Sequence, residues 1–255
     1  MLEGLVDTHC HLFLMDGEPA PVADRARDSG VSAMVCAGID PDSSRRSREL
    51  ADSLAGVFAT AGVHPHTASA FDAAAGAMVE ELLADPRVVA VGETGLDHYR
   101  LRSPAEDQQR AFRAHCALAR ETGKPLVVHT RDAWPDVLRI LGEERVERVV
   151  LHCFSGGDAE AAEAAARGYH CSFAGNLTYP KNGDLRRAAA ALPRELLLAE
   201  TDSPFLAPQS LRGRDNTPAN LPLVVEALAG ARGEEAEDLA ALTAENARRA
   251  FDLPR

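Results

Sequence analysis

Leu5-Val6-Asp7-Thr8-His9-Cys10-His11 is a short apolar run that ends in two imidazoles, and the same arrangement returns along the chain. Val88-Val89-Ala90-Val91 precedes Glu93, Leu126-Val127-Val128 precedes His129, and Val149-Val150-Leu151 precedes His152. Leu196-Leu197-Leu198 runs into Glu200 and Asp202. Runs rich in valine and leucine, without polar alternation, read as strands buried on both faces of a parallel sheet. If those strands close into one barrel, the side chains at their ends meet at one mouth.

Working outward, strand-like runs fall at 5–8, 31–36, 57–61, 88–91, 126–128, 149–151, 169–173 and 196–199. Helical patterns lie between them at 22–28, 43–54, 73–83, 105–122, 135–141, 159–167 and 185–191, and two more, 221–231 and 236–251, close the chain. Right-handed βαβ connections allow an open doubly wound sheet or a closed barrel. Eight repeats with chemistry-bearing residues at most strand ends favour the barrel. The expected fold is therefore α/β, a (β/α)₈ TIM barrel, with residues 1–255 as one domain. The length of 255 residues and the 45% hydrophobic content suit such a barrel. The irregular stretches 174–183 and 204–219 are expected to form loops over the mouth.

The bulk numbers exclude some functions. A net charge of −12 argues against a broad basic face for nucleic acid. It leaves room for an enzyme acting on nucleic acid, because cations and a few arginines supply positive potential locally. No apolar stretch approaches the roughly 20 residues needed to cross a bilayer, and the N-terminus lacks the pattern of a signal peptide. Five cysteines, an odd number without C-x-x-C pairing, read as free thiols in a reducing compartment. The expectation is a cytoplasmic protein with no membrane association and no obligate protein partner.

His9 and His11 are two apart on a strand and so share a face. Four histidines and two carboxylates at strand ends are hard to satisfy without metal ions, which makes His9, His11, Glu93, His129, His152 and Asp202 the candidate ligands. Glu93, between glycines, can offer one oxygen to each of two cations. Neither lysine, Lys124 nor Lys181, ends a strand where a carboxylated lysine could do so instead. Asp202 can hold a metal and accept a proton from water whose pKa the metal has lowered, with Glu93 the second choice for that role. Glu200 either orients a ligand or is a buried carboxylate bonded to a neighbouring strand. His64 and Arg131 can meet an anionic group, arginine with a two-pronged grip on phosphate. Asp97 reads equally as a loop cap, and Gln108 as an exposed residue in the first turn of a helix. Histidine-rich ligation suits Zn²⁺, Mn²⁺, Fe²⁺ or Co²⁺ better than Mg²⁺.

Asp7-Thr8-His9-Cys10-His11-Leu12, Gly62-Val63-His64-Pro65-His66, Gly92-Glu93-Thr94-Gly95-Leu96-Asp97 and His129-x-Arg131-Asp132-Ala133 together resemble the TatD family of metal-dependent hydrolases. So do His152-Cys153-Phe154-Ser155-Gly156, Ser172-Phe173-Ala174-Gly175-Asn176, Glu200-Thr201-Asp202-Ser203-Pro204 and Arg212-Gly213-Arg214-Asp215-Asn216-Thr217-Pro218, in the family's order. The closing Thr243-x-Glu245-Asn246-Ala247 and Phe251 also fit. His98 and Asp215 depart from it: an aromatic is expected at the first position and a basic residue is common at the second.

The resemblance implies a barrel of the amidohydrolase superfamily with two divalent metal ions. One metal would take His9, His11 and Asp202, the other His129 and His152, with Glu93 bridging and His64 and Arg131 holding a phosphate. It implies phosphodiester cleavage, as in a 3′-5′ exodeoxyribonuclease acting on DNA ends or single strands. The alternative is hydrolysis of another ester, as by a D-aminoacyl-tRNA deacylase or a small phosphoester or lactone hydrolase.

Overall fold

The computed structural model describes residues 2–254. Eight strands form one parallel sheet in sequence order: β1 (Leu5–Cys10), β2 (Val31–Cys36), β3 (Val57–Ala61), β4 (Val88–Asp97), β5 (Leu126–Arg131), β6 (Val149–Leu151), β7 (His170–Phe173) and β8 (Leu197–Ala199). The helices between them are α1 (Pro19–Asp28), α2 (Pro41–Ser53), α3 (Ala73–Leu83), α4 (Ala105–Thr122), α5 (Trp134–Glu143), α6 (Asp158–Arg167) and α7 (Gly183–Ala191). After β8 come α8 (Leu221–Arg232) and α9 (Ala236–Phe251). The expected barrel and element order are both present.

The ends of the sheet meet through the segment that follows β8. Asp202 N–H donates to His9 O (2.9 Å), His11 N–H donates to Ser203 O (2.7 Å), and Cys10 bridges Ser203 in parallel. Beneath this seam the buried carboxylate of Asp7 accepts from Thr201 N–H (2.9 Å), Thr201 Oγ1 (2.6 Å) and His9 N–H (3.3 Å). Burial pushes the Asp7 carboxyl up to about 7, against the pull of the Thr201 hydrogen bonds. The joint thus depends on a polar network in a dry place, where each unpaired group is costly.

Val6, Val35, Ala90, Val127, Val150 and Leu198 come from six different strands and form one apolar cluster. Ala244, Ala247, Ala250, Phe251 and Leu253, from α9 and the turn after it, complete that cluster. The last helix therefore plugs the barrel at the end where the strands begin. A second, larger cluster fills the layer between the sheet and the helices. Lys124 lies at the strand-start end too, its Nζ donating to Val88 O and Asp85 O.

Three strands run further than their apolar residues indicate. β1 continues to Cys10, β5 to Arg131 and β4 to Asp97, so His9, Glu93 and His129 sit on strands rather than beyond them. The ladder slips register between Asp7 and Cys10 and between Val91 and Thr94. Such irregularities re-aim side chains near a barrel rim. Gly95 has φ +135°, and a Cβ there would stand 2.1 Å from His129 O, so only glycine lets β4 lie this close to β5.

Candidate metal centre

The imidazoles of the centre leave the ends of several strands, and two of them, His11 and His152, are aimed by their other ring nitrogen. His11 Nδ1–H donates to Ala37 O (2.9 Å), which turns its Nε2 lone pair inward. His152 Nδ1 meets Glu200 Oε1 at 3.2 Å, with the same effect on its Nε2. Glu200 is fully buried, and of its two expected roles it takes that of orienting His152, as carboxylates behind metal-binding histidines do.

Glu93 lies in the middle. Its Oε1 is 3.0 Å from His152 Nε2, 3.1 Å from His129 Nδ1 and 3.4 Å from His64 Nε2. Its Oε2 is 3.3 Å from His9 Nε2 and 3.8 Å from His11 Nε2. One oxygen faces each half of the cluster. Asp202 Oδ1 joins the second half, 3.5 Å from His11 Nε2 and 4.0 Å from His9 Nε2. Asp202 has φ +52°, in the left-handed region that aspartate tolerates. Its N–H is tied to His9 O, and its carbonyl accepts from Phe205 N–H (2.8 Å).

The donor atoms suit a divalent cation. His9 Nε2 and His11 Nε2 approach to 3.3 Å, and His152 Nε2 and His129 Nδ1 to 3.4 Å. His9 Nδ1 is buried with no hydrogen-bond partner, and the His9 ring stacks on His152 at 3.8 Å. Three overlapping groups have donor atoms within 4.8 Å of one another: His9, His11 and Glu93; His9, His152 and Asp202; His64, Glu93 and His129. Nitrogen and carboxylate oxygen at such spacing is the donor chemistry of zinc-like ions.

Burial alone would raise the Glu93 carboxyl, but the charges of His152, His64 and His9 outweigh it and hold the group well below the usual carboxylate range. Burial pushes His64 well down, and the pull of Glu93 does not restore it. Burial pushes His9 down as well, whereas the charges of Glu93 and Glu200 overcome burial and hold His152 well above the ordinary imidazole value, so a cation binding there must displace a proton.

The structure therefore brings together all six expected ligands, His9, His11, Glu93, His129, His152 and Asp202. It places His64 among the converging atoms, 3.4 Å from Glu93, within the range of the expected ligand histidines. Arg131 stands at the edge, its guanidinium 3.9 Å above the Tyr99 ring. Gln108 is a correction: expected on the surface, it is fully buried. Its Oε1 accepts from Asp97 N–H (2.8 Å), and its Nε2 donates to Asp97 O and Ser103 O. Asp97 is also more than a loop cap. Its buried carboxylate accepts from Arg100 N–H (2.8 Å), meets His66 Nε2 at 2.8 Å and lies 3.5 Å from His129 Nε2. It supports His129 from behind. The signal for it was its place four residues after Glu93 on what proves to be the same strand.

The comparisons with known proteins point the same way. A family model described as TatD related DNase matches residues 6–252. The uncharacterized metal-dependent hydrolase TatD of Mycobacterium tuberculosis is 41% identical over 98% of this chain and 98% of its own length. The 3'-5' ssDNA/RNA exonuclease TatD of Escherichia coli K12 is 37% identical over 89% of this chain and 90% of its own. Among solved structures, the TatD homologue YJJV of Escherichia coli K12 covers 100% of both chains with a TM-score of 0.94 at 28% identity. A mutant organophosphorus hydrolase of Deinococcus radiodurans shares the fold alone, with a TM-score of 0.67 at 17% identity over 97% of this chain and 92% of that one. With the barrel, the histidine–carboxylate centre and this full-length likeness in hand, the chain belongs to the TatD related DNase family and is a metal-dependent hydrolase.

Proposed function

We propose that the centre cleaves phosphodiester bonds, as a 3′-5′ exodeoxyribonuclease acting on DNA ends or single strands. The observation that carries this reading is the convergence of five imidazoles and two carboxylates at the strand-end mouth of the barrel, with an arginine at its edge. The chain's likeness to the 3'-5' ssDNA/RNA exonuclease TatD of Escherichia coli K12 supports it. Two divalent ions, of the Zn²⁺, Mn²⁺, Fe²⁺ or Co²⁺ type, with Mg²⁺ able to serve in assay, would polarise the phosphoryl group and lower the pKa of water.

The protein's own residues divide the remaining work. His9, His11 and Asp202 would hold one ion and His129 and His152 the other, with Glu93 available to both. Asp202 is the general base, because its side chain keeps 13% exposure where that of Glu93 keeps 3%. Only the first is open to an attacking water; Glu93 is second choice. His64 and Arg131 steady the phosphate. Free thiols, four of the five buried, fit a cytoplasmic setting.

The test is hydrolysis of a 3′-labelled single-stranded DNA oligonucleotide by chelated enzyme, before and after Mg²⁺, Mn²⁺ or Zn²⁺ is restored. Shortening from the 3′ end should return with the cation and fall by about 10²–10⁴-fold in Asp202→Asn, the range for loss of a general base. Bound metal with intact DNA would overturn the nuclease reading and direct the search to aminoacyl-tRNA or small esters.

A further inference from the structure

Leu14, Tyr99, Leu101 and Phe205 are the exposed large hydrophobic side chains among the described residues. They follow β1, β4 and β8, so all four stand on the end of the barrel that bears the histidines. Single exposed apolar residues are ordinary anywhere on a surface, but a set confined to the rim of a reaction centre marks a contact surface. Two of the four are aromatic, and these two are held by their surroundings.

Phe205 is 52% exposed, yet its backbone is fixed at both polar atoms. Its N–H donates to Asp202 O, and its carbonyl accepts from Asn216 Nδ2, which also donates to Thr201 O. The ring stands 5.9 Å from that of His11, beside the Asp202 half of the centre. Tyr99 is 61% exposed and carries Arg131 at 3.9 Å on one face. It is two residues past Asp97, beside the His129 half. The rings thus flank the two halves that Glu93 joins.

We propose that Phe205 and Tyr99 are stacking platforms for the nucleobases on either side of the scissile phosphate, so that this enzyme selects short unpaired strands over phosphoesters lacking bases. This rests on the nuclease reading and adds to it the part of the substrate that is recognised. Aromatic rings accept any base on a π-face, which gives affinity without sequence preference. Such affinity matters here because a net charge of −12 supplies no general attraction for a polyanion. With only two platforms, the grip extends over the terminal nucleotides and no further.

The experiment compares metal-loaded wild type, Phe205→Ala, Tyr99→Ala and Phe205→Trp. The substrates are a single-stranded DNA oligonucleotide and the same strand with abasic residues at its last two positions. Loss of one ring should raise KM about tenfold, the size of one stacked base, and loss of both bases about a hundredfold, with kcat far less affected. Because each ring shares its contact with one base, the two losses should not multiply: removing the bases should cost Phe205→Ala about tenfold less than it costs wild type. Phe205→Trp should recover the KM lost in Phe205→Ala. Cleavage of both strands by wild type with equal KM, or effects that multiply, would overturn the platforms while leaving the nuclease standing. A concentration-dependent dimer that Phe205→Ala abolishes would also overturn them, by giving the patch to a second copy of the chain. No cleavage of the intact strand by wild type would remove the nuclease reading itself.

Discussion

His115 stands outside the metal centre and has both ring nitrogens committed. Nδ1–H donates to Ala111 O (2.7 Å), and Nε2 accepts from Val63 N–H (3.0 Å), one residue before His64. Burial pushes its pKa from 6.5 down to about 4, against the hydrogen bond to Ala111. The unfolded chain binds this proton from about pH 6.5 downward while the folded one refuses it. Stability is therefore complete above pH 6.5 and declines as pH falls towards 4, by about 3 kcal/mol in all. Ring NMR shifts of His115 should stay those of a neutral imidazole at pH 5; titration near pH 6.5 would refute the arrangement. At this scale the six converging histidines and carboxylates were legible, since few residue types bind metal and each follows an apolar run. Asp7 and Gln108 were not. Asp7 finds its partner Thr201 at a separation of 194 residues, and no local pattern reports that.

The two loops after β7 and β8 form one rim. Tyr179 Oη donates to Ala207 O (3.0 Å), Gln209 N–H donates to Thr178 Oγ1 (2.7 Å), and a Cβ on Gly175 would fall 1.9 Å from Leu206 O. Gly175→Ala should force these segments apart, at a cost of about 1–3 kcal/mol. Limited proteolysis should then cut within 174–183 or 204–219 sooner than in wild type, and equal cutting would show that the rim absorbs the methyl group. Both segments were readable as loops from their glycines and prolines; their docking was not, because it is made by backbone atoms. The same reason hid the length of β4. Its unbroken apolar run stops at Val91, but pairing with β5 persists to Asp97 and Arg131, since a ladder needs backbone groups rather than side-chain polarity.

Across the whole molecule, the histidine cluster and the helical plug occupy opposite ends of the barrel. The mouth gathers the histidines, while Phe251 and Leu253 seal the barrel where its strands begin. Phe251→Ala should cost about 3–5 kcal/mol, as large-to-small changes in a packed core do. Urea unfolding measures that loss. KM for the oligonucleotide should stay at its wild-type value, and a selective loss of substrate binding would show that the two ends communicate. The barrel itself was legible because eight valine- and leucine-rich runs alternate with helical patterns. Helix α9 was readable as a helix at its observed bounds, yet nothing in its own periodicity says that it plugs the sheet.

The joined rim also bears on how such a barrel acquires a new preference. Leu206 follows directly on Phe205, so the segment that presents an aromatic ring to the mouth is the one that Gly175 and Tyr179 hold in place. Transplanting either segment alone from a homologue would leave a donor without its acceptor and a side chain without room. The heritable unit of specificity here is the pair, and rims exchanged between relatives should function only when both halves travel together.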